Sequence, residues 1–226
     1  MKDTNAKFVS PFSKDEEEAT LDSLAALSGS GNDDPDPPAG ALPSRADGAN
    51  KLANPGPLGL LGFGMTTVLL NLHNSGIIEL TVMIVAMGFA LGGLAQIIAG
   101  IFELRQGNTF GGTAFTAYGL FWWSLIFIWI MPFEELYEAD EMSMACYLAL
   151  WGVFTLFMFI ASLRHDPPTR VVFLTLAILF FGLAAAEFTG MEIVRTFSGY
   201  VGVFCGGAAI FASMRQVLLE EFAKKA

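Results

Sequence analysis

Asn54-Pro55-Gly56-Pro57-Leu58-Gly59-Leu60 is the densest local signal in the chain. Pro55 and Pro57 donate no backbone hydrogen bond, and each restricts the residue before it. The helix that follows is expected to start at Pro57, a residue suited to the first helical position. About 15 residues then remain to Leu72, short for a membrane crossing. Short or Pro/Gly-interrupted apolar segments point to transport sites, because open helix N-termini attract anions. A plain helix start capped by Asn54 is the alternative.

A second polar cluster lies at Gln106-Gly107-Asn108-Thr109. Asn108 or Thr109 is expected to cap the helix that follows. On that helix Thr109, Thr113 and Thr116 share a face at i, i+4 and i+7. Such a hydroxyl stripe either lines a polar path or bonds back to helix carbonyls. Other chemistry is missing. No Ser/His/Asp or Cys/His set, phosphate-binding glycine loop or metal-ligand cluster is found, so neither enzyme activity nor a cofactor is expected. Cys146 and Cys205 have no ligand spacing and read as packing residues. His73 and His165 fall at opposite ends of the predicted helices and cannot share a metal.

The elements that must hold these residues are apolar. Residues 52–78, 80–102, 106–133, 142–163, 171–186 and 196–214 contain no Asp, Glu, Lys or Arg. About 20 apolar residues span the hydrocarbon core of a bilayer. The 171–186 stretch is the shortest. Mean hydropathy is +0.54, and only 15% of residues are charged, against about 25% in soluble domains. An all-α, polytopic membrane protein with six transmembrane helices is predicted. No ionisable side chain sits centrally in any span, which argues against a proton relay built on carboxylates. An anion must then pass hydrated, against amide and hydroxyl dipoles, or as the neutral acid. The spacings Gly88…Gly92, Gly107…Gly111 and Gly202…Gly206 read as close helix contacts.

Residues 1–50 form a separate zone, with ten acids against four bases. This segment has too little apolar surface to offset ordering entropy and reads as a disordered acidic cytoplasmic tail, with a short helix allowed over Asp15–Leu27. Residues 51–226 form the transmembrane domain. With both termini cytoplasmic, that side holds Lys51, Arg105, Arg164, Arg170, Arg215, Lys224 and Lys225, and the far side holds Arg195 alone. This is a clear positive-inside bias. The acidic connection Glu134–Glu141 then falls outside the cell. No basic nucleic-acid footprint exists.

The Asn54–Leu60 string resembles the NPAPLGL signature of the acetate uptake transporter family, also called the succinate–acetate permeases, with Gly56 where Ala is usual. The likeness continues through Gly62–Thr67, Asn71–Asn74, Gly107–Gly111, Thr113–Gly119 and Trp151–Met158. It implies six helices, a homo-oligomer of hexameric type in the cell membrane, and acetate or succinate as substrate. Both proton-coupled uptake and channel-like passage are implied. It also implies a hydrophobic constriction at Phe63, Tyr118 and Leu176, and a role for Asn54 near the pore mouth. Taken with the residue reading, the expected pathway comprises Asn54, Pro55, Pro57, Leu58, Phe63, Thr66, Asn108, Thr109, Thr113, Thr116, Tyr118 and Leu176. The competing expectations are a channel for a neutral solute or ammonium, and a membrane sensor of acetate.

Overall fold

The charge-free stretches become helices, joined by short turns where polar residues return. The computed structural model describes residues 53–130 and 139–223. The expected disordered tail, its Asp15–Leu27 helix and most of the Glu134–Glu141 connection lie outside the described residues. The described residues form six helical rods: α1 Gly56–Asn74, α2 Val82–Arg105, α3 Thr109–Ile130, α4 Glu141–Ser162, α5 Pro167–Thr189 and α6 Glu192–Ala223. No strand occurs among the described residues. α1 packs chiefly on α6, α2 on α3, and α5 on both α4 and α6.

Five of these rods, α2 to α6, are long and apolar enough to cross a membrane; the sequence pattern predicts six. The difference lies in α1, which carries Thr66, Thr67, Asn71 and His73. It buries the first three against protein rather than presenting a uniformly apolar surface. The marginal 171–186 stretch corrects the other way. Pro167 and Thr189 extend it to 23 residues, comfortably a span.

α1 also starts and ends differently from expectation. It begins at Gly56, where Asn54 Oδ1 accepts the Gly56 N–H at 3.0 Å and the Pro55 carbonyl accepts the Gly59 N–H at 3.2 Å. Pro57 thus sits second, still within the turn whose N–H groups have no helical partner. The helix is 19 residues long, so it is not truncated. α3 is capped as predicted, with Asn108 Oδ1 accepting the Gly111 N–H at 3.1 Å.

α2 is the irregular rod. Its α-helical ends, Val82–Met87 and Gln96–Arg105, flank a π-helical stretch at Gly88–Ala95. A π segment turns more slowly per residue, so everything after it faces a direction that α-helical spacing does not give. Gly88 and Gly92 pack against Ile126 and Trp122 of α3. Gly107, by contrast, makes no helix contact. Its φ of 79° places it in the left-handed turn between α2 and α3, which corrects the Gly107…Gly111 expectation.

The tightest seam joins α1 to α6. A Cβ on Gly206 would stand 2.6 Å from the Gly64 carbonyl oxygen, and one on Gly64 would stand 2.7 Å from that of Gly206. Gly202 faces the Asn71 amide so closely that a side chain there is excluded. Cys205 is buried beside this seam and donates its thiol to the Val172 carbonyl at 3.4 Å, whereas Cys146 is exposed.

Two outcomes follow from this packing. Gly206→Ala should lower the thermal unfolding temperature of the detergent-solubilised protein, by overpacking worth about 1–3 kcal/mol. Gly207→Ala, one residue on with nothing within 4 Å of its Cβ, should leave that temperature unchanged or raise it. Separately, Asp140 caps α4, and the Ser143 N–H it accepts at 2.6 Å holds its carboxyl below the ordinary value of 3.8. A lowered carboxyl pKa stabilises in full above the unfolded value and loses that effect as pH falls through the folded one. The protection of the Ser143 amide against exchange, corrected for intrinsic rate, should therefore drop only in that acid window, and Asp140→Ala should remove it at neutral pH.

Candidate functional site

Two cavities enter the described helices from opposite ends. The first, of about 340 Å³, lies among the N-terminal ends of α1, α3 and α5 and the C-terminal ends of α2 and α6. The second, of about 160 Å³, lies among the C-terminal halves of α1, α3 and α5 and the N-terminal ends of α4 and α6. Their linings share three residues: Phe63, Tyr118 and Leu176. All three are buried.

These residues come from α1, α3 and α5, and packing fixes each of them. The Phe63 and Tyr118 ring centroids are 6.0 Å apart. Phe154 packs edge-on against Tyr118 at 5.4 Å, and Phe180 stacks on it at 6.5 Å. The Tyr118 hydroxyl lies 2.8 Å from Thr155 Oγ1. Thr155 spends its own proton on the Trp151 carbonyl at 2.7 Å, so Tyr118 must be the donor. The hydroxyl is thereby tied to α4, and the ring is left as the surface between the cavities.

The first cavity is polar at its mouth. Asn54 donates to Glu220 Oε1 at 2.7 Å and approaches Gln216 Oε1 at 3.5 Å. Asn108 donates to Glu103 Oε2 at 2.6 Å. Glu103, only 5% exposed, is thus a buried carboxylate at the end of α2 with a charge-assisted hydrogen bond. His165 stacks on Phe110 at 4.2 Å in the same lining. Deeper in, Gln96 is 1% exposed, and neither its Oε1 nor its Nε2 has a partner among the described residues. An unpaired buried amide is costly. Gln96 therefore offers two donors and an acceptor to whatever enters this cavity.

The second cavity has a similar interior. Thr67 and Trp122 line it, and neither Thr67 Oγ1 nor Trp122 Nε1 has a partner among the described residues. Asn71 is engaged at both ends of its amide, donating to the Thr67 carbonyl at 2.9 Å and accepting from Asn74 at 3.0 Å. At the mouth, Arg195 pairs with Glu187 at 2.9 Å. His73 belongs to this lining and His165 to the other.

Of the pathway residues expected from sequence, Asn54, Phe63, Asn108, Tyr118 and Leu176 line the cavities. Pro55, Pro57, Leu58, Thr66, Thr109, Thr113 and Thr116 do not. Leu58, Thr109 and Thr113 are exposed on the outside. Thr66 is buried but back-bonds to the Gly62 carbonyl at 2.8 Å. Thr116 packs against Gly100 of α2. The hydroxyl stripe is real as a face of α3, but the face that lines the first cavity carries Phe110, Gly111, Ala114 and Tyr118. Sequence reasoning missed Gln96, Glu103, Gln216 and the Arg195–Glu187 pair. Gln96 was findable as the sole amide within residues 80–102. Among the described residues, no group of three or more His, Cys, Asp or Glu could hold a metal ion.

Known proteins resemble this chain in sequence and in fold. The chain is 49% identical over 178 residues to the succinate-acetate/proton symporter SatP of Escherichia coli (strain K12), covering 78% of this chain and 95% of that protein. It is 38% identical over 162 residues to ammonia transport outward protein 2 of Saccharomyces cerevisiae (strain ATCC 204508 / S288c), covering 68% of this chain and 57% of that one. The solved structure of the bacterial acetate channel SatP superposes with a TM-score of 0.74 at 50% identity, covering 76% of this chain and 96% of that chain. The family model for GPR1/FUN34/yaaH matches residues 40–223, which takes in both cavities and all six rods. The chain belongs to the GPR1/FUN34/yaaH family.

Proposed function

We propose that this protein carries acetate and related short carboxylates, succinate among them, across a cell membrane. The carrying observation is that two cavities entering from opposite ends meet at Phe63, Tyr118 and Leu176 and share no other lining residue. The identity to the E. coli symporter and the likeness to the acetate channel supply the substrate class. α1 completes six crossings, held among its neighbours rather than against lipid. Both termini are cytoplasmic, since Arg105, Arg164, Arg170 and Arg215 then share the cytoplasmic side. Outward-facing side chains such as Leu150 and Phe157 meet lipid or further copies in a homo-oligomer, taken as a hexamer.

The path works by alternating polar and apolar zones. A bare carboxylate moved into a low-dielectric interior would cost on the order of 20 kcal/mol by the Born estimate. Gln96 on one side, and Thr67 with Trp122 on the other, offer hydrogen bonds up to the shared layer. Between them the rings of Phe63 and Tyr118 and the Leu176 side chain close the path by excluding water. Short carboxylates with a small apolar tail fit such a layer. Phe63→Ala should widen it, admitting longer monocarboxylates and raising acetate flux several-fold, as measured in proteoliposomes against a size series. Unchanged flux and selectivity in a folded variant would remove Phe63 from the path. Gln96→Leu should cut acetate flux about tenfold, the loss of one or two hydrogen bonds to a charged group, while keeping the unfolding temperature.

Labelled acetate flux into proteoliposomes, with and without an imposed pH gradient, tests the main reading. Protein-dependent accumulation only under the gradient means proton coupling, and protein-dependent equilibration without it means a channel. No flux above protein-free vesicles would overturn the assignment. Ammonium is the second reading, favoured by the yeast relative's name. Competition between acetate and ammonium in counter-flow separates the two.

A further inference from the structure

We infer that Arg195 at the mouth of the second cavity is a carboxylate-capture residue, and that Glu187 is its built-in competitor. This rests on the transport reading above. Arg195 is the one Lys or Arg among the residues lining either cavity. Every other base near the helices belongs to the opposite end of the rods or lies outside the described residues. An anion arriving at this mouth therefore meets a single fixed positive charge.

The geometry leaves room for exchange. Arg195 Nη1 donates to Glu187 Oε1 at 2.9 Å, and Nε stands 3.5 Å from Glu192 Oε1. A guanidinium carries five donors in a planar fork that suits bidentate carboxylate binding. Glu187 takes Nη1 and Glu192 loosely engages Nε, while the Nη2 end of the fork has no partner among the described residues. The Arg195 side chain is 32% exposed, Glu187 17% and Glu192 80%. A pair this open is weakly held and screened by water, so an entering carboxylate can displace it.

Glu187 shows what the site accepts. Its side chain ends in the same functional group as a short carboxylate substrate, held where the cavity opens. Moving inward from this mouth, the same lining includes Thr67 and Trp122, whose Oγ1 and Nε1 are two donors with no partner among the described residues. A carboxylate released by Arg195 would find them next, before the Phe63–Tyr118–Leu176 layer. Both ends of the ion pair lie beside the α5–α6 turn at Gly190, so the competing role is a staple for that turn.

The two roles predict different signs. Initial rates of labelled acetate uptake should be measured on full-length protein in proteoliposomes, for the wild type, Arg195→Gln, Arg195→Lys and Glu187→Gln. Capture predicts that Arg195→Gln raises KM about tenfold at similar maximal rate, the loss of one charged hydrogen bond. Arg195→Lys should recover part of that, because it keeps the charge and loses the fork. Glu187→Gln should lower KM, since the competing carboxylate is gone. A staple would make Arg195→Gln and Glu187→Gln fail in the same direction and lose thermal stability together, and that outcome overturns the inference. So does an unchanged KM in both. Should Arg195→Gln not fold, Glu187→Gln decides alone: a KM that does not fall sinks the capture role. Wild-type protein without flux would instead sink the transport reading itself.

Discussion

Hydrocarbon offers no hydrogen-bond partners, so polar groups in such a chain must be satisfied inside helices or gathered between them. That constraint accounts for the role of α1. It carries buried Thr66 and Thr67 and the asparagines that α2 to α6 lack, and it can do so because its neighbours cover it. The cover is close only because Gly64 and Gly206 bring two backbones together, each carbonyl occupying the place of the other's side chain. Glycines thus supply contact area that larger side chains would hold apart. With α1 and α6 locked, Phe63 is delivered to one depth in the molecule, with Leu60 one turn before it lining the first cavity and Thr67 one turn after it lining the second.

The same constraint governs Tyr118. A phenol buried this deeply needs a partner for its hydroxyl, and Thr155 of α4 provides it while passing its own proton to a backbone carbonyl. The chain of bonds removes a polar group from the apolar layer without removing the ring. Thr155 is therefore as much a part of the layer as the residues that line it. Loss of that bond would leave a free hydroxyl where the two cavities are separated by little else than three side chains.

Much of this was legible in the sequence, and the reasons for the misses are specific. Runs without charge located α2 to α6, because lipid-facing helices cannot afford solvated side chains. Phe63 and Tyr118 followed from long ordered strings around them. The threonines of α3 misled, since a spacing of i, i+4, i+7 identifies a face but not the direction it points. Tyr118 follows Thr116 by two residues, roughly half a turn, and it is Tyr118 that looks inward. Gln96 was hidden by the π-helical stretch before it, which breaks the register on which any helical projection depends. Arg195 enters the sequence reading only as the one base on the far side, and Glu103 is not singled out there at all. Glu103 pairs with Asn108 five residues on, and Arg195 with Glu187 eight residues back, so both pairings depend on the geometry of the α2–α3 and α5–α6 turns, which charge-free runs do not report.

Charge placement then explains why an anion path can work without a central cation. A fixed positive charge beside the apolar layer would bind a carboxylate tightly and release it slowly, which suits a receptor better than a conduit. Here the one lining arginine stands at a mouth, already half-occupied by Glu187, while the interior offers only neutral dipoles from Gln96, Thr67 and Trp122. Neutral donors stabilise a carboxylate without trapping it. The first mouth is acidic instead, with Glu103 and Glu220 held by Asn108 and Asn54, so it does not retain an anion that arrives there. The two ends of the path are thus chemically unlike. At one, a guanidinium can take a carboxylate in exchange for Glu187; at the other, the carboxylates of Glu103 and Glu220 are already held by amides, and the arginines of that side stand outside the cavity lining.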